Sequence, residues 1–151
     1  MIIASLMIAL NLAAVDDDCI TVSTTVNGSS MEGLLWQDQP LDVRSLGCGM
    51  PERYDYVVFR LKGENDPIIK QLWGQPGDTI EVMDNGRLKV NAVEVTTPFG
   101  RPYVLLGSAR TRLKKITNPI DGFLLLGHPG SVDSAKVGLV AKEDILGFVP
   151  A

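Results

Sequence analysis

The stretch PIIKQLWGQPGD, residues 67–78, places a lysine in the middle of an apolar run and ends the run at a Pro-Gly-Asp turn. Successive side chains of a β-strand point to opposite faces, so Lys70 shares a face with Ile68 and Leu72. Burial disfavours the charged form of an amine, so the pKa of a lysine at such a position falls below its ordinary value. A neutral amine in a dry cleft can act as a general base. The stretch therefore predicts a strand that carries a candidate catalytic lysine.

The preceding apolar segment, VVFRLK at residues 57–62, contains a second lysine for comparison. Lys62 alternates in phase with Arg60, while Val57, Phe59 and Leu61 take the opposite face. Lys62 is therefore expected to be exposed to solvent, whereas Lys70 is expected to be buried.

Length and composition indicate an ordinary folded protein. A chain of 151 residues with 45% hydrophobic and 21% charged residues can bury the core of one compact domain. The formal net charge of −4 gives no electrostatic basis for binding nucleic acid. We therefore expect residues 16–151 to form a single catalytic β domain with no nucleic-acid partner.

Short β-branched or apolar segments alternate with turns along most of the chain, and a hairpin is predicted around the Asp-Asn-Gly turn at residues 84–86. The pattern predicts a mostly β fold, either a β-barrel or an antiparallel sheet domain. A helix is expected only at the apolar N-terminus and near residues 142–145. The predicted strands are residues 20–26 and 56–62, the strand that carries Lys70 before the turn at residues 76–78, and residues 79–83, 87–90 and 93–95, with later apolar segments at 103–106, 123–126 and 145–149.

Residues 1–15 are apolar except for Ser5 and Asn11, and three aspartates at residues 16–18 end the run. The run is shorter than the roughly 20 residues that a membrane-spanning helix needs. It lacks the preceding positive charge and the small-residue cleavage site of a secretory signal. Three interpretations stay open, namely a short or tilted membrane anchor, a cleaved signal, and a buried helix of the domain. The first two place the domain outside the cytoplasm.

Cys19 and Cys48 are the only cysteines. In an oxidising compartment they can form one disulfide that closes the loop containing Ser30, whereas in a reducing compartment they are small buried side chains. Sequence spacing alone does not show whether their Cα atoms come close enough to bond.

Ser30 is the candidate nucleophile. It follows the first predicted strand and lies in GSSMEG, residues 28–33, where small residues allow close approach of the backbone. A serine hydroxyl becomes nucleophilic when an adjacent base removes its proton, and Lys70 is the candidate base.

Several segments together resemble the conserved boxes of type I signal peptidases. SMEGLL at residues 30–35 is similar to the S-M-x-P-T-L box of that family, and KQLWGQPGDTI at residues 70–80 is similar to its K-R-x-x-x-x-P-G-D-x-[IV] box. RLKVN at residues 87–91 resembles the stretch that follows. Residues 127–138, which contain SVDS, resemble the last box, G-D-x-x-x-x-S-x-D-S-R-x-x-G, and ILG at residues 145–147 fits the I-x-G beyond it. The lysine box is the most specific of these elements.

The resemblance implies a serine endopeptidase that cleaves signal or leader peptides through an acyl-enzyme. Ser30 is the implied nucleophile, Lys70 the implied general base, and the backbone N–H of Ser30 an implied oxyanion donor. The family often has a hydroxyl two residues before the nucleophile. Gly28 occupies that position here, so Ser29 or a backbone group is the candidate replacement.

The last box implies the residues that support this pair. Ser131 matches the family serine that hydrogen-bonds the lysine, and Asp133 and Ser134 match residues that hold the loop in place. The arginine that normally pairs with the aspartate is absent, and Lys136 is the candidate partner of Asp133.

The implied substrate is a preprotein or prepilin with small residues before the cleavage site, which pairs with a strand edge beside the catalytic groups. The resemblance also implies one N-terminal anchor in membrane lipid, a catalytic domain on the extracytoplasmic (periplasmic) side, and no metal or cofactor. The candidate substrate-binding residues are Val26, Asn27, Met31, Pro67, Ile68 and Ile69.

The chain departs from the family pattern at several positions. Gly33 replaces a proline, Gln71 and Ala135 each replace an arginine, and His128 stands where an aspartate is common. The loop at residues 127–131 is about two residues short. These departures indicate a divergent branch, for which the peptidases that mature pilin subunits in plasmid conjugation are a candidate subgroup.

Three alternatives stay open. A Ser30-His128-Asp133 triad is conceivable, although it leaves Lys70 without a role. The second is a membrane-anchored β-domain that keeps the peptidase scaffold but only binds or assembles other proteins. A self-cleaving repressor-type serine/lysine peptidase is the third, and it calls for a DNA-binding segment that the sequence does not show.

Overall fold

Most of the regular structure is antiparallel β-sheet in the computed structural model, which describes residues 18–151. A larger sheet has six strands in the order β1-β2-β9-β3-β4-β8, and a smaller one has three in the order β5-β6-β7. This arrangement confirms the predicted mostly β, antiparallel fold. The strands of the described residues are β1 (Thr21–Thr25), β2 (Pro40–Arg44), β3 (Tyr56–Phe59), β4 (Ile68–Gly74), β5 (Ile80–Val82), β6 (Leu88–Val90), β7 (Val93–Glu94), β8 (Leu124–Leu126) and β9 (Ile145–Val149).

The six-stranded sheet is open. Its edges are β1 and β8, which are not paired with each other in the described part of the chain. Strand β1 pairs with β2 alone, and all five of its residues are exposed. Closure into a barrel needs both edges to pair, so the prediction of a barrel is wrong for these residues and the prediction of an antiparallel sheet holds.

The smaller sheet begins with the predicted hairpin. Strands β5 and β6 pair Ile80 with Val90 and Val82 with Leu88, and the Asp-Asn-Gly turn joins them. The inward side chains of this hairpin are buried against Trp73 of β4. One apolar cluster therefore joins the smaller sheet to the strand that carries Lys70.

Two helices accompany the sheets in residues 18–151, α1 (Gly107–Lys114) and α2 (Ser134–Val137), together with 3₁₀ turns at Leu46–Cys48 and Lys142–Asp144. Helix α1 was not predicted. Only Leu113 of its eight residues is buried, so the segment lacks the apolar stripe from which amphipathic helices are recognised. Contacts with β5 and α2 hold it in place.

A separate apolar cluster supports the segment after β1. Four buried residues form it, and Tyr56, Ile69 and Val149 of the large sheet pack against them. This packing holds the loop that contains Ser30 against the face of the sheet near β4. The buried residues are Val26, Met31, Leu35 and Leu41.

Cys19 and Cys48 form a disulfide with Cα atoms 4.4 Å apart. It joins Cys19, two residues before β1, to the 3₁₀ turn after β2, and the two cysteines are 29 positions apart in the chain. Closing a loop of this size stabilises a fold by roughly 3 to 4 kcal/mol in chain-entropy terms. The closed loop contains Ser30.

The apolar segment at residues 1–15 and the helix predicted for it lie outside the described residues. Across residues 18–151, no helix combines the length and the apolar character that are needed to cross a membrane.

Candidate active site

Lys70 lies in the middle of β4 and is 2% exposed. Its backbone pairs with Val57 of β3, and Leu72 on the same face is fully buried. Lys62, by contrast, lies in an exposed loop. The predicted burial of Lys70 and the predicted exposure of Lys62 are therefore both confirmed.

The Ser30 side chain faces Lys70 from the opposite wall of a cleft. Its Oγ lies 2.6 Å from the Nζ of Lys70, within hydrogen-bond distance. The turn that presents Ser30 begins at Gly28, whose φ of +94° favours glycine. Met31, which follows Ser30, is 1% exposed and anchors the turn in the apolar cluster below.

Burial controls the charge of the lysine. Loss of hydration lowers the pKa of Lys70 from 10.5 to about 8, and the charge of Asp133 opposes this shift only in part. A substantial fraction of Lys70 is therefore neutral near pH 8. The neutral amine can accept the proton of the Ser30 hydroxyl at the observed distance.

Asp133 is fully buried and ties three parts of the site together. Its carboxylate accepts hydrogen bonds from the Tyr103 hydroxyl at 2.8 Å, the Gly127 N–H at 3.2 Å and the Ala135 N–H at 3.0 Å. Burial raises the pKa of Asp133, while these donors and the charge of Lys70 act in the opposite direction. Burial and the nearby carboxylate raise the pKa of Tyr103, so the phenol stays protonated as a donor.

Gly127 packs directly over Ser30 and Lys70. A Cβ at this position would lie 2.7 Å from the carbonyl oxygen of Ser30, 2.8 Å from Cδ of Lys70 and 3.1 Å from Sδ of Met31. Such distances are too short for carbon, so only glycine lets the end of β8 approach Ser30 this closely.

Two residues of the last box, Ser131 and Lys136, make contacts other than those that the resemblance implied, whereas Ser134 holds the loop. The Ser131 hydroxyl donates to the carbonyl of His128 at 2.6 Å and makes no hydrogen bond to Lys70. The Ser134 hydroxyl accepts from the Leu125 N–H at 2.9 Å, which ties α2 to β8. Lys136 is exposed, and Tyr103 rather than Lys136 bonds to Asp133.

A cleft of about 910 Å³ runs past Ser30 and Lys70. Strand β8 pairs with β4 only at residues 71–74, so residues 68–70 have a strand partner on one side alone. Met31 does not line the cleft, because its side chain is buried below the turn. The other five predicted substrate-binding residues line the cleft, namely Val26, Asn27, Pro67, Ile68 and Ile69.

The histidine triad is not formed. The Nε2 atom of His128 lies 2.6 Å from the carbonyl oxygen of Glu32, and the imidazole ring packs on Phe99 with centroids 4.4 Å apart. Within the described residues, neither Ser30 nor Asp133 forms a hydrogen bond with the His128 side chain. No group of three or more potential metal-binding side chains (His, Cys, Asp or Glu) occurs in the same part of the chain.

Three residues of the site were not predicted from the sequence: Tyr103, Gly127 and Phe99. Gly127 opens the last box, and that position was the one available signal. Tyr103 lies in an apolar segment and bonds to a residue 30 positions away, a contact that no local pattern reveals. Phe99 is 63% exposed and lies in a Pro-Phe-Gly turn, which reads as an ordinary loop.

A family model and two related proteins indicate the family of this chain. The model of the family described as "Signal peptidase, peptidase S26" matches residues 1–151. Signal peptidase I P of Bacillus subtilis subsp. natto is 29% identical over 159 residues, which cover 95% of this chain and 82% of that protein. Signal peptidase I of Bacillus amyloliquefaciens is 26% identical over 157 residues, covering 95% and 81%. The crystal structure of a signal peptidase I from Enterococcus faecalis V583 has 20% identity and a TM-score of 0.42, covering 68% of this chain and 97% of that chain.

Proposed function

This chain belongs to the signal peptidase family, peptidase S26, and is a serine endopeptidase of signal peptides; we propose that it cuts with Ser30 as nucleophile and Lys70 as general base. The observation that carries the proposal is the 2.6 Å contact between Nζ of Lys70 and Oγ of Ser30. A buried amine beside a hydroxyl at the wall of an open cleft is the arrangement that nucleophilic catalysis by serine requires.

In the first half of the reaction, neutral Lys70 accepts the Ser30 proton while Oγ attacks the carbonyl carbon of the scissile peptide bond. The tetrahedral intermediate collapses when the Lys70 ammonium protonates the leaving amine, which departs as the mature protein. In the second half, Lys70 takes a proton from water, and the resulting hydroxide attacks the acyl-enzyme ester. The ammonium then returns the proton to Oγ and the signal peptide leaves.

The oxyanion of each intermediate needs a donor beside the nucleophile. Within residues 18–151 the Ser30 N–H makes no hydrogen bond and is free for this role. The Gly28 N–H is already bonded to Oε1 of Gln37 at 2.7 Å. Ser29 lines the cleft and is the remaining candidate for a second donor. Such donors typically contribute a few kcal/mol each to catalysis.

The substrate enters as an extended strand. The unpaired edge at residues 68–70 supplies backbone hydrogen bonds, and Val26 and Asn27 form the facing wall. Small residues before the scissile bond let the substrate backbone lie close to Ser30. We include prepilins among the candidate substrates, because the departures from the family pattern indicate a divergent branch.

We assign residues 1–15 to a membrane anchor in contact with lipid and residues 16–151 to the catalytic domain on the extracytoplasmic (periplasmic) side. The apolar composition of the first segment supports the anchor. The Cys19–Cys48 disulfide supports an oxidising compartment, since disulfides persist there.

The direct test is cleavage of a preprotein with an alanine-x-alanine site by the full chain in detergent. Replacement of Ser30 by alanine is expected to remove cleavage, because no other hydroxyl lies at 2.6 Å from Lys70 among the described residues. Ser23→Ala, which alters an exposed serine of β1, is the matched control and should cleave normally. Cleavage by the Ser30 variant contradicts the mechanism, and no cleavage by the unmodified chain favours the non-catalytic binding domain.

The pH dependence follows from the charge of Lys70. Because the neutral amine is the active form and its pKa is about 8, kcat/KM should rise with pH and level off above that value. Asp133→Asn removes the negative charge that holds this pKa up, so the rise should move to lower pH. The measurement is kcat/KM from pH 5 to 10, with exposed Asp121→Asn as a control that keeps the original midpoint. An upward shift, or none, for Asp133→Asn contradicts the coupling.

A further inference from the structure

The loop at residues 98–100 is pressed against the turn that carries Ser30. A Cβ on Gly33 would lie 2.5 Å from the carbonyl oxygen of Pro98 and 2.9 Å from Cδ1 of Phe99. The φ of Gly33 is +108°, whereas proline is restricted to about −65°. The glycine that replaces the family proline therefore allows this loop to reach the rim of the cleft.

Phe99 and His128 form an aromatic wall at this rim. Their ring centroids are 4.4 Å apart with an interplanar angle of 47°, and both residues line the cleft. The Nε2 atom of the imidazole also lies 2.6 Å from the carbonyl oxygen of Glu32. Phe99 is nevertheless 63% exposed, so most of its ring is available to a ligand in the cleft.

The cleft is also acidic. The charged residues that line it are Glu32, Asp66 and Lys70, and neither carboxylate forms an ion pair in the described residues. Lys70 is neutral in the active form, so the cleft then carries two uncompensated negative charges. Glu32 belongs to the same end of the cleft as Phe99, because its neighbour Gly33 contacts the Phe99 ring and its carbonyl contacts His128.

We propose that Phe99 and Glu32 form a subsite for the residues that follow the scissile bond, and that this subsite selects a basic side chain. The aliphatic stem of lysine or arginine packs on the Phe99 ring, and the cationic head meets both the ring face and the Glu32 carboxylate. The inference rests on the proposed function, since it assigns the part of the substrate before the scissile bond to residues 66–70. The part after the bond then leaves past Ser30 toward Glu32 and Phe99.

The test uses three peptides with the same alanine-x-alanine site that differ only in the second residue after the scissile bond. The unmodified chain should cleave the lysine peptide about fivefold more efficiently than the alanine peptide, as a cation on an exposed ring beside one carboxylate predicts. The glutamate peptide should be the poorest of the three. Equal kcat/KM for the lysine and alanine peptides overturns this inference alone. Cleavage of none of them overturns the proposed function and this inference with it.

Variants of the cleft residues test whether Phe99 and Glu32 cause the preference for a basic side chain. Phe99→Ala and Glu32→Gln should each bring the lysine-to-alanine ratio of kcat/KM toward 1. Two control variants should keep the ratio. Asp66→Asn removes the other carboxylate of the cleft, and Trp36→Ala removes an exposed aromatic ring that does not line the cleft. The ratio compares two substrates of one preparation, so partial misfolding does not change it. An equal loss of preference in Asp66→Asn and Glu32→Gln overturns the local subsite in favour of the overall charge of the cleft.

Discussion

Replacement of Lys70 by methionine is expected to lower kcat/KM for a preprotein by at least about a thousandfold. Methionine has a similar length and an apolar side chain, so it can occupy the same buried space on β4 but cannot accept a proton. General base catalysis by a positioned group contributes on the order of 10² to 10⁴ in rate, and here the same amine acts in both halves of the reaction.

Two measurements separate lost chemistry from lost folding in this variant. The free energy of unfolding should not decrease, because a buried amine is replaced by an apolar side chain of similar length. Lys62→Met is the matched control, since Lys62 is exposed and lies outside the cleft lining. Turnover by the Lys70 variant within tenfold of the unmodified chain would exclude this lysine as the base.

Gly127→Ala should also inactivate the enzyme, by roughly a hundredfold, without removing any chemical group. The added methyl group would lie within 2.8 Å of both the Ser30 carbonyl oxygen and Cδ of Lys70. One of these neighbours has to move, and a displacement of about 1 Å in a catalytic group typically costs two orders of magnitude in rate. The effect should appear mainly in kcat, because Gly127 does not line the substrate cleft.

Gly130→Ala is the control for this prediction. Gly130 belongs to the same loop, but a Cβ there meets no atom within 4 Å. Its φ of +91° makes alanine strained, so this variant should lose stability while keeping most of its activity. Full activity in Gly127→Ala, or an equal loss in both variants, would contradict the role of close packing at Gly127.

The main features of the site followed from local rules. The alternation of side chains along residues 67–78 predicted the burial of Lys70, and the small-residue turn at residues 28–33 indicated Ser30 as a candidate nucleophile. The hairpin at residues 84–86 followed from its Asp-Asn-Gly turn. Each of these inferences uses residues that are neighbours in the chain, where periodicity and turn chemistry act directly.

The features that were missed depend on contacts between distant residues. The partner of Asp133 is Tyr103, which no local pattern connects to it. Whether β1 pairs with β8 is decided by the whole sheet, so a barrel and an open sheet look alike in sequence. The burial of Met31 depends on the cluster beneath the turn rather than on its neighbours in sequence.

If the N-terminus anchors the enzyme as proposed above, the Cys19–Cys48 disulfide has a mechanical consequence. Tension that arrives along residues 1–18 passes through the covalent bridge at Cys19 directly to the turn after β2. It bypasses the intervening chain, including the hydrogen bonds between β1 and β2 and the turn that carries Ser30. Under the proposed anchor, the turn that carries Ser30 therefore lies off the path of this tension, and Ser30 can keep its position beside Lys70.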